Sequence, residues 1–212
     1  MVFFFVSCDS RFFYYMGRDK FENEDLIKYG WPEDMWFHVD GFSSAHVYLR
    51  PKPGTPPPTI DTLPPEILEE CCQLVKNNSI EGKKEQSVSV CWTPWANLRK
   101  DGGMDVGQVG FRDQHQVRHR RVERNRDIVK RVEATREERQ VSVAAERSAR
   151  DREERRKQTE ARLLQAQRDQ QEKEEAERQR EVREYRSLMT EENMHSNQEQ
   201  RMTAKQFEDS FM

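Results

Sequence analysis

Two histidines, His38 and His46, sit with Asp34, Asp40, Ser43 and Ser44 inside the stretch "DMWFHVDGFSSAHVYLR", residues 34–50. These residue types are the raw material of two chemistries. A hydrolase would use Ser43 or Ser44 as nucleophile, His38 or His46 as base and Asp40 to orient the base. A metal site would draw on His38, Asp40 and His46. Neither pattern is complete. No turn resembles the strained G-x-S-x-G nucleophile elbow, and two histidines with one carboxylate lack a further ligand motif. The sequence therefore predicts no catalytic residue, no metal and no cofactor. Each histidine reads either as a half-buried polar group bonded to a neighbouring loop or as part of a binding surface.

Binding draws on a wider set of residues. Trp36, Tyr48, Trp92 and Trp95 are flat faces, and Arg18, Lys20, Arg99, Lys100 and a cluster over residues 112–131 are cations. Interleaved aromatic and basic groups suit base stacking with phosphate contact. The alternatives are plain core for the tryptophans and a solvated approach to a helix for the cluster. Charge is segregated along the chain. Residues 1–110 carry a net −5, residues 111–131 a net +5 with His115 and His119 in addition, and residues 132–212 a net −3. The positive block is a candidate anion-facing patch. Glu22, Glu24, Asp25, Glu33 and Asp34 surround the Arg18–Lys20 loop, and an anion there meets repulsion unless those acids face elsewhere.

Strands and helices must position these groups. At period two, Asp34, Trp36, His38 and Asp40 share one side of a strand and Met35, Phe37 and Val39 the other, so one face should be core and the other chemically rich. Gly41 breaks that strand, and Ala45 to Leu49 returns as its partner, giving a two-stranded ribbon that carries both histidines. Val2 to Ser7 and Phe12 to Met16 read as strands. "GRDKFENEDLIKYG" reads as a loop into a short helix N-capped by Asn23. "RPKPGTPPPTIDTLPP" holds seven of the nine prolines and marks a surface loop that ends at a helix start, Pro64–Pro65. The next helix places Ile67, Cys71, Leu74 and Val75 on one stripe to pack on the sheet. "SVSVCWT" is a further strand, a glycine-rich loop leads to a short strand near residues 108–111, and "QVRHRRV", residues 116–122, suits an edge strand with its basic side chains in water. The class is α+β: a small mixed, mainly antiparallel sheet with packed helices, followed by a long charged solvent-exposed α-helix and a disordered tail.

Nearly all aromatics precede Gln114, and only Tyr185, Phe207 and Phe211 follow it. The expected division is a core domain at 1–122, a basic linking helix at 123–140 with Ile128 and Val132 turned to the domain, a long charged helix at 141–190 and a disordered polar tail at 191–212. "QVSVAA" is β-branched and marks a break between the two helices. Between Glu146 and Arg183 the apolar residues are Ala149, Ala161, Leu163, Leu164, Ala166, Ala176 and Val182, which keep no seven-residue register. Acid–base pairs at i,i+4 such as Glu153–Lys157 take the place of a coiled-coil seam, which favours a single exposed monomeric helix.

Cys8, Cys71, Cys72 and Cys91 show no paired spacing, which fits reduced thiols of a cytosolic or nuclear protein. "MVFFFVSC" lacks the basic leader and cleavage site of a signal peptide. No window reaches the ~20 apolar residues that span a bilayer, so a membrane role would need peripheral attachment.

The ordered segments "MGRDKFENEDL", "DMWFHVDGFSSAHVYLR", "CWTPWANLRK" and "DVGQVGF" resemble the signatures of the NFACT RNA-binding domain family over about residues 1–120. The resemblance implies a non-enzymatic nucleic-acid-binding module and carries over Gly17, Arg18, Asn23, Asp34, Trp36, His38, Ser44, His46 and Thr93. Multidomain members of the family are ribosome-associated quality-control factors with further segments that engage transfer RNA. This chain has no room for those segments, so a ribosomal role does not transfer with the resemblance. The expected nucleic-acid-binding residues are Arg18, Lys20, Asn23, Trp36, His38, His46, Arg99, Lys100, Arg118, Arg120, Arg121 and Arg124, with RNA or DNA as partner. The alternative is a protein-interaction adaptor whose long helix is the reach, linked to the ribosome or to translation quality control.

Overall fold

The computed structural model describes residues 1–184. The tail expected to be disordered and the last part of the expected 141–190 helix lie outside the described residues. Met1–Arg152 form one compact unit, and the described residues from Glu153 on belong to a second.

The first unit is built on a seven-stranded sheet in which every neighbouring pair is antiparallel. In chain order its strands are β1 (Val2–Val6), β2 (Phe12–Gly17), β3 (Met35–Val39), β4 (Val47–Pro51), β5 (Ser87–Pro94), β8 (Arg118–Glu123) and β9 (Glu137–Arg139). Their spatial order is β8-β5-β3-β4-β2-β1-β9. A second, two-stranded sheet joins β6 (Leu98–Arg99) to β7 (Gly110–Phe111). The helices are α1 (Lys20–Tyr29), α2 (Pro65–Asn77), α3 (Arg126–Glu133) and α4 (Val143–Arg183).

The alternation expected for residues 34–40 is present, but both faces of the sheet are covered. Met35, Phe37 and Val39 enter one core with Ile67, Cys71, Leu74 and Val75 of α2 and Val132 of α3. Trp36, Tyr15 and Tyr48 enter a second core with Leu26 of α1 and Val143 of α4. The expected two-stranded ribbon is thus the middle of a larger sheet, and the face expected to be chemically rich is mostly interior.

Three local expectations change. Helix α1 begins earlier than the sequence suggested, because Asp19, not Asn23, is its cap: the Asp19 carboxylate accepts from the Phe21 and Glu22 amides at 3.0 Å each. Asn23 is buried inside the helix and its Oδ1 accepts from the Tyr48 hydroxyl at 3.2 Å. The linking helix expected to reach Arg139 ends at Glu133. Thr135 stops it: its hydroxyl donates to the Val132 carbonyl at 2.7 Å and accepts the Val6 amide at 3.0 Å. Glu137–Arg139 then pair with β1 as an edge strand, a position where charged side chains stay in water.

A buried ion pair binds the second core together. The Arg50 guanidinium grips Asp34 with two 2.7 Å hydrogen bonds and donates to the Tyr15 hydroxyl at 2.7 Å, while Tyr15 donates to Asp34 at 2.6 Å. The backbone amide of Trp31 supplies a further donor to Asp34 at 2.7 Å, and Arg50 lies 3.9 Å above the Trp31 ring. The first turns of α4 are fastened beside this cluster. Glu146 approaches Arg50 at 3.9 Å, Arg147 donates to the Gly30 carbonyl, and Arg150 pairs with Glu33.

Helix α4 runs for 41 residues, ~62 Å at 1.5 Å per residue. Its residues from Glu153 to Arg183 are exposed apart from Glu154, including Leu163, Leu164 and Val182. Of the i,i+4 pairs expected from the sequence, Glu153–Lys157 closes at 2.9 Å, whereas Glu146 and Arg150 turn to the compact unit instead.

Candidate nucleic-acid interface

The basic block folds as the sequence suggested for residues 116–122, into a strand at the sheet edge. Only one side of β8 is paired, to β5, with Arg118 opposite Trp92 and Glu123 opposite Ser87. Val122 is the strand's anchor: it is buried in the core beneath α2, whereas Arg118, His119, Arg120 and Arg121 are exposed. The chain then turns sharply under the control of Gln73 on α2. Its amide nitrogen donates to the Glu123 carbonyl at 2.6 Å and its amide oxygen accepts the Asn125 N–H at 2.9 Å. Asn125 in turn caps α3 through the Asp127 and Ile128 amides. The clip holds Arg124 and Arg126 at the same corner as the end of β8.

A groove of about 490 Å³ opens at that corner, lined by Arg120, Arg121, Arg124 and Arg126 together with Glu69, Glu123, Val122 and Asn125. Four guanidiniums face two carboxylates. Arg120 lies 3.1 Å from Glu69, and Arg121 donates to the Ser87 hydroxyl at 2.8 Å. Arg121, Arg124 and Arg126 form no ion pair among the described residues. Further along the strand the charges are partly answered: Arg118 stands 3.9 Å from Asp61 of the proline-rich loop, and His119 stands 3.7 Å from Asp40. A guanidinium's planar fork of donors matches phosphate oxygens bidentately, so the unanswered arginines are poised for a phosphate chain.

The other expected site residues are placed differently. Trp36 is 2% exposed and its indole N–H donates to His46 Nδ1 at 2.8 Å. His38 stacks on Trp36 with ring centroids 5.6 Å apart and meets His46 edge-on at 4.8 Å. Burial lowers the pKa of both histidines; that of His46, next to His38 and Lys100, falls to about 3. The pair is therefore uncharged at neutral pH and offers phosphate no cation. Among the described residues no group of three or more His, Cys, Asp and Glu is placed to hold a metal ion.

Lys100 is also occupied. Its ammonium donates to Glu24 at 2.8 Å and to the Asp105 and Gln108 carbonyls at 2.7 and 2.9 Å, so it ties the loop of residues 101–109 to α1. Arg99 pairs with Asp101 at 3.0 Å, Arg18 approaches Asp19 at 3.7 Å, and Lys20 lies over the Phe21 ring. Helix α1 packs on β2, four strand spacings from β8, roughly 19 Å at 4.8 Å per strand. The structure thus gathers Arg120, Arg121 and Arg124 into one groove with Arg118 beside it, and leaves Arg18, Lys20, Arg99 and Lys100 on another part of the unit. Sequence reasoning missed Glu69, Gln73 and Ser87 as neighbours of the arginines. Asn125 followed by Asp127 was a readable cap signal, but nothing local marks Gln73 as the clip.

Comparison with known proteins gives this fold its family. The family model described as the NFACT protein RNA binding domain matches residues 1–113. The chain belongs to the NFACT RNA-binding domain family. It closely resembles coiled-coil domain-containing protein 25: the protein of that name from Danio rerio is 54% identical over 202 residues, covering 94% of this chain and 96% of the relative. The one from Mus musculus is 50% identical over 203 residues, with the same coverage. Protein JLP2 of Saccharomyces cerevisiae is 46% identical over 105 residues, 49% of this chain and 50% of the relative. A solved structure, the C-terminal of the fibronectin/fibrinogen-binding protein from Streptococcus suis, covers 61% of this chain and 47% of that chain at 21% identity and a TM-score of 0.49.

Within the NFACT match, several of the signature residues make contacts inside the fold. A Cβ on Gly17 would come within 2.9 Å of the Asn23 amide nitrogen, so glycine is what lets β2 run so close to α1. Ser44 accepts the Val39 amide at 3.0 Å, and buried Thr93 donates to the Gln116 carbonyl at 2.8 Å. The match to the NFACT family ends at residue 113, so Glu69 of the groove lies within the matched segment and its four arginines follow it.

Proposed function

We propose that this chain binds nucleic acid, RNA or DNA, through the arginine groove where β8 meets α3, as a non-enzymatic module that presents a long charged helix. The observation that carries this reading is the convergence of Arg120, Arg121, Arg124 and Arg126 on one groove, three of them without a carboxylate partner among the described residues. Membership of a family described as RNA-binding supports the same class of partner. The contrast with Lys100 and His46, whose polar groups bond within the fold, supports placing the contact on β8 instead of on the α1 side.

The test is fluorescence anisotropy of the full chain with matched single-stranded RNA and DNA oligonucleotides across a salt series. Affinity should fall steeply as salt rises, because each phosphate neutralised by a cation releases counterions. Absence of binding at low salt would remove the reading and promote the protein-interaction adaptor. The specific support for that second reading is α4, whose residues from Arg155 to Arg183 are exposed with the apolar Leu163 and Leu164 among them.

A further inference from the structure

Resting on that reading, we infer that the groove recognises the phosphodiester backbone of a nucleic acid and not its bases, so that inorganic polyphosphate competes for the same guanidiniums. The argument begins with what the groove lacks. Base recognition by sequence-tolerant modules depends on aromatic faces on which bases stack. Among the described residues the groove wall holds four arginines, Asn125 and Glu69, and no aromatic ring.

Other rings of the compact unit are committed elsewhere. Trp36, Tyr48 and Trp92 are buried, at 2%, 0% and 7% exposure. Trp31 has Arg50 at 3.9 Å over its ring, and Trp95 has Arg147 at 5.3 Å over its ring and donates its indole N–H to the Ile27 carbonyl at 3.0 Å. Phe21 is exposed, at 66%, but it belongs to α1, which packs on β2, four strands away from β8.

What the groove contains is guanidiniums. Those of Arg120 and Arg121 near the end of β8 and of Arg124 and Arg126 at the turn into α3 present forked N–H groups to oxygens. Forks of this kind grip the oxygens of an anionic chain without reading what hangs from it. Of the two carboxylates that line the groove with these arginines, Glu69 is paired with Arg120 at 3.1 Å.

The discriminating experiment is competition against a fluorescein-labelled 20-nucleotide oligothymidine bound to the full chain. The competitors are unlabelled oligothymidine, a fully abasic tetrahydrofuran oligomer of the same length, and long-chain inorganic polyphosphate at equal phosphate concentration. One stacked base contributes roughly fivefold to a hundredfold in affinity. The abasic oligomer should therefore compete within fivefold of oligothymidine, polyphosphate should displace the probe, and the exposed-residue variant R124Q/R126Q should weaken all three by a similar factor. An abasic oligomer more than fivefold weaker, or failure of polyphosphate to compete, overturns the inference while leaving nucleic-acid binding intact. Failure of the labelled oligothymidine itself to bind at low salt overturns the underlying reading and the inference with it.

Discussion

Replacing His46 with asparagine should remove a specific share of the protein's acid sensitivity. His46 is almost wholly enclosed, accepts the Trp36 indole N–H at 2.8 Å, and has its pKa lowered from 6.5 to about 3, chiefly by burial. A histidine that resists protonation in the folded state is protonated in the unfolded state as soon as pH drops below about 6.5. Its contribution is therefore intact above that value and is lost progressively as pH falls from 6.5 towards 3. Between pH 7.5 and pH 5.0 the linkage is worth about 2 kcal/mol, from roughly 1.4 kcal/mol per pH unit over about 1.5 units. Asparagine can keep an acceptor for Trp36 but does not titrate. Urea unfolding followed by tryptophan fluorescence, at both pH values for both proteins, isolates the effect: the parent should lose about 2 kcal/mol more than the variant. Equal losses, or an imidazole NMR signal of His46 that titrates near 6.5 in the folded protein, would refute the interior placement of this ring. His38, also lowered by burial, acts in the same direction in both proteins.

Asp34→Asn should cost about 3–5 kcal/mol, because it leaves the Arg50 guanidinium enclosed without its counter-charge. Urea unfolding checks the size of that loss, and a change below about 1 kcal/mol would show that the pair is not enclosed as described. A peptide spanning residues 146–183 should sediment as a monomer across the micromolar range; a tight dimer would mean that Leu163, Leu164 and Val182 form a seam in spite of their spacing. Protein purified without an affinity tag should carry no stoichiometric zinc, and its measured metal content tests the expectation that the two histidines are structural.

Sequence periodicity identified which residues share a face but not what covers that face. Residues 34–40 alternate as expected, yet Trp36 is interior because it shares a core with α1 and with the start of α4, more than a hundred residues later in the chain. The same limit applies to charge. Lys100 looked like a free cation, and only the folding of residues 101–109 against Glu24 reveals that its three donors are used. Asn23 and Asp19 are both good caps in isolation, and the choice fell to Asp19 because Asn23 is needed inside for Tyr48. Glu137–Arg139 carry no strand signal of their own, since backbone pairing to β1 at an edge asks nothing of side chains that point to water. The edge strand at Arg118–Glu123 was legible because its single apolar residue, Val122, sits among cations that have nowhere to go but outward. The corner that gathers Arg124 and Arg126 beside it was not, because a glutamine fifty residues earlier makes the turn.

The most direct measurement compares two five-residue variants of the full chain. One replaces Arg118, Arg120, Arg121, Arg124 and Arg126 with glutamine; the other replaces five basic residues of α4 beyond Arg150. Residues 111–131 carry a net +5, whereas the cations of α4 have acids within a helical turn to cancel their field. Anisotropy titrations of a single-stranded oligonucleotide over a salt series should show the first variant losing most of its affinity. The slope of log affinity against log salt should fall by up to about 3.5, at roughly 0.7 for each phosphate that is no longer neutralised. The second variant should stay close to the parent. Equal losses in both, or an unchanged salt slope in the first, would contradict the placement of the phosphate-binding cations on β8 and its junction with α3.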